Sequence, residues 1–200
     1  MVHAFLIHTL GTAHAEDTSF CRVLYSCVFG AEKSPDDLRP HGAERDRLLR
    51  KEQILAVARQ VESMWRLQLQ ASGHASLDPL PQSSDEPFPL HEAPQGVFGL
   101  SMGDPFREPR TVLWLGVLSL GFVLVLEAHE NLLLAESTLR LLARLLLEHL
   151  RLLTPNTNLL LRAERIEAIL SRFLPHGQLL FLNEQFIQAL EKELSTAWPR

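Results

Sequence analysis

Gly99-Leu-Ser-Met-Gly103 is the stretch of this 200-residue chain whose pattern comes nearest to catalytic chemistry. G-x-S-x-G is the nucleophile-elbow pattern, in which a serine hydroxyl is held at a strained turn between a strand and a helix. The elbow needs that helix. Here Asp104-Pro105 and Glu108-Pro109 follow, in a run too short and broken to form one. No aspartate lies beyond Asp104 to follow the serine in the usual chain order. A hydrolase built on Ser101 is one reading, and its mark is ester hydrolysis lost on Ser101→Ala.

The other reactive residue types do not converge. Nine histidines are scattered without an H-E-x-x-H pair. His129-Glu130 reads as a turn, and His149 beside Glu148 as a surface residue. No G-x-x-x-x-G-K-[ST] loop precedes a helix. Cys21 and Cys27 lie six apart in one apolar run. On a strand that spacing puts them on one face, too far apart to bridge easily, so they read as reduced core thiols of a cytosolic protein. There is no C-x-x-C or zinc spacing, and no carboxylate pair stands in an apolar setting. The expectation is a protein that is not an enzyme and uses no metal or cofactor: a binding or assembly protein.

Composition narrows the class. With 46% hydrophobic and 22% charged residues, the chain can bury one sizeable core. A net charge of −5 and a pI near 6.0 exclude the broad basic footprint of a nucleic-acid binder. Thr111–Leu126 carries no charge, but its 16 residues fall short of the ~20 that a helix needs to cross a bilayer. Gly116, Ser119, Gly121 and the β-branched valines around them favour strands. The segment reads as a buried hairpin, Thr111–Leu118 and Phe122–Glu127, turning at Ser119-Leu120-Gly121. Ala13-His14-Ala15 resembles a signal-peptide cleavage site, yet no Lys or Arg precedes it, and His3 and His8 interrupt the apolar run. Neither a signal peptide nor a transmembrane segment is expected.

The elements that must position these residues follow from periodicity. Val2–Thr9 and Cys21–Phe29 read as strands, the second with Cys21, Val23, Tyr25, Cys27 and Phe29 on one face. Glu44–Trp65 reads as a helix that buries Ile54, Val57, Ala58, Val61 and Trp65; its charged residues form a solvated face. Pro79, Pro81, Pro87, Pro89 and Pro94 mark a flexible surface insertion at about 71–96. It interrupts a single domain spanning 1–200. Gly96–Met102 adds a strand ahead of the hairpin. Glu130-Asn131 then start a helix with a stripe of Ala135, Leu139, Leu142, Leu146, Leu150 and Leu153. Glu136/Arg140 and Arg144/Glu148 fall at i,i+4 on its outside. Leu133, Leu134, Leu141, Leu145, Leu147 and Leu152 widen the stripe well beyond one face. Such a helix must be covered on more than one side, by a central position or by a partner protein. Leu159–Phe173 and Asn183–Thr196 are the last helices, the final one with Phe186, Ile187, Leu190 and Leu194 inward. The order implies a mixed α+β fold, a sheet with helices packed on it.

In this order the chain resembles the small sigma subunits of clathrin-type adaptor complexes. The match starts with the strand Val-His-Ala-Phe-Leu-Ile7 and continues through Arg22-Val-Leu-Tyr25. It is best from the hairpin through Glu127-Ala-His-Glu-Asn131 into Leu132–Leu153, and at Arg172-Phe-Leu-Pro-His-Gly-Gln178. Three longer segments are specific: Val28-Phe-Gly-Ala-Glu-Lys-Ser-Pro-Asp-Asp37, Arg45-Asp-Arg-Leu-Leu-Arg-Lys-Glu-Gln-Ile-Leu55 and Leu174-Pro-His-Gly-Gln-Leu-Leu-Phe-Leu182. They are similar to the sigma subunit of the fifth adaptor complex over essentially the whole chain.

The resemblance implies a longin-like (SNARE-like) fold: an antiparallel five-stranded sheet flanked by helices, with extra C-terminal helices. It implies a subunit packed on a large (zeta) adaptor subunit and completing a heterotetramer with beta and medium subunits. Spatacsin and spastizin are implied as further partners. The place implied is the cytoplasmic surface of late endosomes and lysosomes, as a peripheral protein in vesicle-mediated sorting. In other sigma subunits the hairpin and the following helix help form a groove for acidic dileucine signals. The matching positions here are Leu118, Leu120, Ala143 and Leu153, all apolar. A polar groove position of the family falls on Leu152, a departure that suits a more apolar contact. The alternative is another longin-type protein, a regulator or tether that binds a small GTPase.

Overall fold

The structure, a computed structural model, describes residues 1–11, 21–29, 42–71, 90–103, 105–150 and 163–197. Five strands form one antiparallel sheet in the order β2-β1-β5-β4-β3. They are β1 Val2–Thr9, β2 Val23–Val28, β3 Gln95–Leu100, β4 Arg110–Val117 and β5 Leu120–Glu127. The helices are α1 Gly42–Ala71, α2 Leu132–Leu150, α3 Ala163–Phe173 and α4 Glu184–Ala197. This is the longin-like α+β arrangement that the resemblance implied.

Strand alternation sends side chains to two cores. Ala4, Leu6, Val112, Trp114, Val123 and Val125 pack with Ile54, Val57, Ala58, Val61 and Trp65 of α1. Phe5, Ile7, Leu113, Leu115, Phe122 and Leu124 pack with α2, α3 and the end of α4. The greasy hairpin is thus buried on both faces, which explains its lack of alternation. Among the described residues, no helix is long and apolar enough to cross a membrane.

Four departures from the sequence reading have physical causes. The first is β2. Ile7 pairs with Tyr25 but His8 pairs with Val23, so β2 holds an extra residue there. Such a bulge reverses which face the following side chains meet. Tyr25, Cys27 and Phe29 join the core under α2, whereas Cys21 and Val23 join the core under α1. The two thiols therefore do not share a face.

The second is the hairpin. Val117 pairs with Leu120, so the turn is the two residues Leu118-Ser119; the first strand keeps its expected length one residue earlier, and the second begins two residues sooner than expected. Gly116 and Gly121 pair with each other inside the strands. Their role is close approach: a Cβ on Gly121 would lie 2.5 Å from His8 Nε2, and one on Gly116 3.1 Å from the Trp65 ring.

The third is α1, which extends six residues past Trp65. Arg66, Leu67, Gln68, Leu69, Gln70 and Ala71 are good helix formers without apolar periodicity, so pattern alone could not see them.

The fourth is Arg144. It pairs with Glu191 of α4 at 2.6 Å rather than with Glu148, because α4 covers that side of α2. Glu136 and Arg140 do pair, at 3.0 Å.

The end of the proline-rich segment is folded. Arg140 Nη1 donates to the Leu90 carbonyl at 2.7 Å, and Gly116 N donates to the Pro94 carbonyl at 2.7 Å. Residues 72–89 lie outside the described set.

Candidate functional site

The β4–β5 tip displays an apolar side chain on a strained backbone. Leu118, first residue of the turn, has φ 53° and is 40% exposed. A leucine in that left-handed region is held there at a cost of about 1–2 kcal/mol. The tip is tied down, since Leu10 N donates to the Ser119 carbonyl at 2.8 Å. Leu120 is half-buried against the core in which Ala143 of α2 is fully buried. Leu118 is therefore at the surface, Leu120 at the boundary and Ala143 beneath it. Leu152 and Leu153 lie outside the described residues.

Asn131 starts the adjoining helix. Its side-chain oxygen accepts from Leu134 N at 3.1 Å, an N-cap that fixes where α2 leaves the hairpin. The Met1 ammonium lies between the carboxylates of Glu127 and Glu130, which pins the end of β1 to the same corner. The leucine excess of α2 is largely absorbed inside the chain. Leu139, Leu142, Leu145, Leu146, Leu147 and Leu150 are buried, because the sheet covers one side of α2 while α3 and α4 cover another. The exposed leucines are at the start of the helix, Leu132 and the 78%-exposed Leu133.

Two further apolar side chains are exposed near the start of α4. Phe181, between the Pro175–Gly177 turn and α4, is 86% exposed. Phe186 was expected inward but is exposed. The contacts of α4 come from its second half, through Leu190, Leu194, Glu191 and Glu193, and its first turn stands clear of them. Proximity to Pro175 and Asn183, which end one element and cap the next, marked the segment as a connection, where a large apolar residue has no core to enter.

The polar candidates resolve into structural roles. Ser101 is exposed in the β3–β4 connection, and the described residues up to Arg110 form bends rather than a helix. That connection is held by Gln53 Nε2, which donates to the Pro105 carbonyl at 2.9 Å, and by buried Phe106, edge-on to His3. A Cys–His contact exists that spacing did not reveal. Cys21 Sγ lies 3.3 Å from His8 Nδ1, and the same nitrogen donates to the Thr9 carbonyl at 2.9 Å. Burial, reinforced by the Glu62 carboxylate, pushes the Cys21 thiol up to about 11. Burial also lowers the His8 pKa. A protonated thiol beside a neutral imidazole is not a poised nucleophile. Among the described residues no three His, Cys, Asp or Glu side chains group to hold a metal.

The arrangement is thus a two-faced sheet with a protruding apolar hairpin tip and, among the described residues, no assembled reaction centre. The family model described as AP-5 complex subunit sigma-1 matches residues 1–195. The chain belongs to this sigma-1 family. The AP-5 complex subunit sigma-1 of Homo sapiens is 78% identical over 200 residues, covering all of both chains. The Mus musculus protein of the same description is 77% identical over 155 residues, 78% of this chain and 91% of that one. For a sigma-1 family member, the hairpin, the capped start of α2 and the Pro175–Gly177 turn are the parts the resemblance had singled out, and each is a defined element of the fold.

Proposed function

We propose that this chain is the small subunit of a heterotetrameric adaptor complex in vesicle-mediated protein sorting, acting at late endosomes and lysosomes. It forms one longin-like unit over 1–200, interrupted by the proline-rich segment at about 71–96. Its role is assembly: it packs on a large (zeta) subunit, with beta and medium subunits completing the complex and spatacsin and spastizin as further partners. It reaches the membrane through them, from the cytoplasmic side. The observation that carries this reading is the 78% identity to the human sigma-1 subunit, end to end. An identity that high over a whole chain preserves surfaces as well as a core.

The hairpin tip and the flank of α2, with Leu118, Leu120, Leu152 and Leu153, are the proposed contact for a partner subunit or an apolar sorting signal; Ala143, fully buried, belongs to the core behind it and not to the contact itself. Leu118 is its exposed anchor, because an apolar side chain held in a strained, solvent-facing turn is better explained by a partner than by folding. Affinity capture of the tagged chain from cells, with identification of the bound chains, tests the proposal. Large, beta and medium adaptor subunits are expected together. A small GTPase recovered without any of them would contradict it.

A further inference from the structure

A cleft of about 1000 Å³ opens on the α1 face, between β2 and the N-terminal half of α1. Val23 and Val28 of β2, with Ile54 and Leu55 of α1, give it apolar walls. Its rim is cationic. Arg22 stands just ahead of β2, where Thr9 holds its backbone through two hydrogen bonds of 2.9 Å. Arg47, Arg50 and Lys51 follow at i, i+3 and i+4 on α1, a spacing that brings them to one side of the helix. Asp46 is the one carboxylate among these lining residues.

That grouping contrasts with four other arginines. Arg66, Arg144 and Arg172 each meet a glutamate at 2.6 Å, and Arg140 meets one at 3.0 Å. No ion pair ties Arg22, Arg47, Arg50 or Lys51 to a carboxylate of the described residues. Like charges one turn apart destabilise a helix. In a chain of net charge −5, four cations gathered around a cavity are a local reversal of sign.

We propose that this cleft binds a small polyphosphorylated ligand of the inositol-phosphate class, with Arg22, Arg47, Arg50 and Lys51 as its phosphate contacts. Guanidinium forks match phosphate oxygens two at a time, and cations brought in from a strand and from a helix reach phosphates on different sides of one ring. The volume is that of a small-molecule site. The apolar walls receive the carbon faces of the ring. The cleft lies across the sheet from the core that holds Leu120 and Ala143, so the proposal stands apart from the adaptor reading.

The test is calorimetric titration of the full-length chain with inositol hexakisphosphate, alongside sedimentation with phosphatidylcholine vesicles with and without phosphatidylinositol bisphosphate. Saturable binding that weakens with salt is expected. The double variant Arg47→Gln/Arg50→Gln, at two exposed positions, should weaken it about tenfold or more, as loss of two charge-assisted contacts requires. Its thermal midpoint should not fall below that of the wild type, since two mutually repelling charges are removed. Arg45→Gln, also on α1 but outside the lining, should bind normally. Binding to the soluble ligand alone identifies a free inositol phosphate; binding to both identifies a lipid headgroup. A glutamate-rich peptide that binds as tightly as the phosphate ligand would overturn the assignment in favour of an acidic protein segment. Absence of binding by the wild-type chain would also overturn it.

Discussion

At the residue scale, the most informative positions are those where one side chain decides what another can be. His8 is fully buried with Nδ1 donating to Thr9, which leaves Nε2 as a bare acceptor against Gly121. No partner for it is found among the described residues. Because burial lowers the folded-state pKa, the unfolded chain takes up the proton first as pH falls. The contribution of His8 to stability is complete above the ordinary histidine pKa of about 6.5 and is lost as pH drops below it. The thermal midpoint should therefore fall between about pH 7.5 and about pH 5.5, and fall less in His8→Asn. Equal slopes would show that another group titrates. Gly121 depends on the same contact, and no pattern of spacing could separate a glycine needed for a turn from one needed for close approach. Family likeness made Leu118 a candidate, but its positive φ was not legible, because nothing local in Leu118-Ser119 favours that turn. Leu118→Asn, which tolerates the left-handed region, should raise the urea midpoint by an amount equivalent to up to about 1 kcal/mol. It should weaken partner binding, a split that a purely structural residue would not give.

Elements carry the next level. Long, strongly periodic runs were legible: β1, the buried stripe of α1 and the existence of α2 follow from apolar spacing. The β2 bulge was not, since one extra residue in a strand leaves composition unchanged and reassigns its faces. The leucines of α2 pointed to a helix covered on more than one side, but sequence could not decide between internal neighbours and a partner. From Ala135 onward the apolar face of the described part is covered internally, which turns Ala143 into a sensor of core packing. Ala143→Leu should cost about 1–3 kcal/mol by overpacking, whereas exposed Leu133→Gln should change stability by less than about 0.5 kcal/mol. Denaturant titration of the two variants separates core from surface on one helix. In α4, Leu194 is the fully buried residue, supported by the pairs Arg144–Glu191 and Arg172–Glu193. Its amides should exchange with solvent faster than those of α2 and α3. Protection equal to that of α2 would show that α4 is integral to the cooperative core.

The whole molecule is three layers, α1 on one side of the sheet and α2, α3 and α4 on the other. Fold class was readable from element order, and the adaptor reading from segments such as Leu174–Leu182, because they specify a relative rather than a chemistry. Sequence could not show where apolar surface is left over once the two cores are filled: Leu118, Leu132, Leu133, Phe181 and Phe186, and also Leu48, Leu67, Val97 and Met102. Of these, Leu118 is the one held on a strained turn, and on it rests the proposed contact with a neighbouring subunit. Co-expression of the full chain with the large adaptor subunit, followed by light scattering of the purified product, tests this most directly. A stable one-to-one heterodimer is predicted, weakened by Leu118→Asp without a fall in the thermal midpoint of the isolated chain. A chain that remains monomeric beside a folded large subunit would contradict the account.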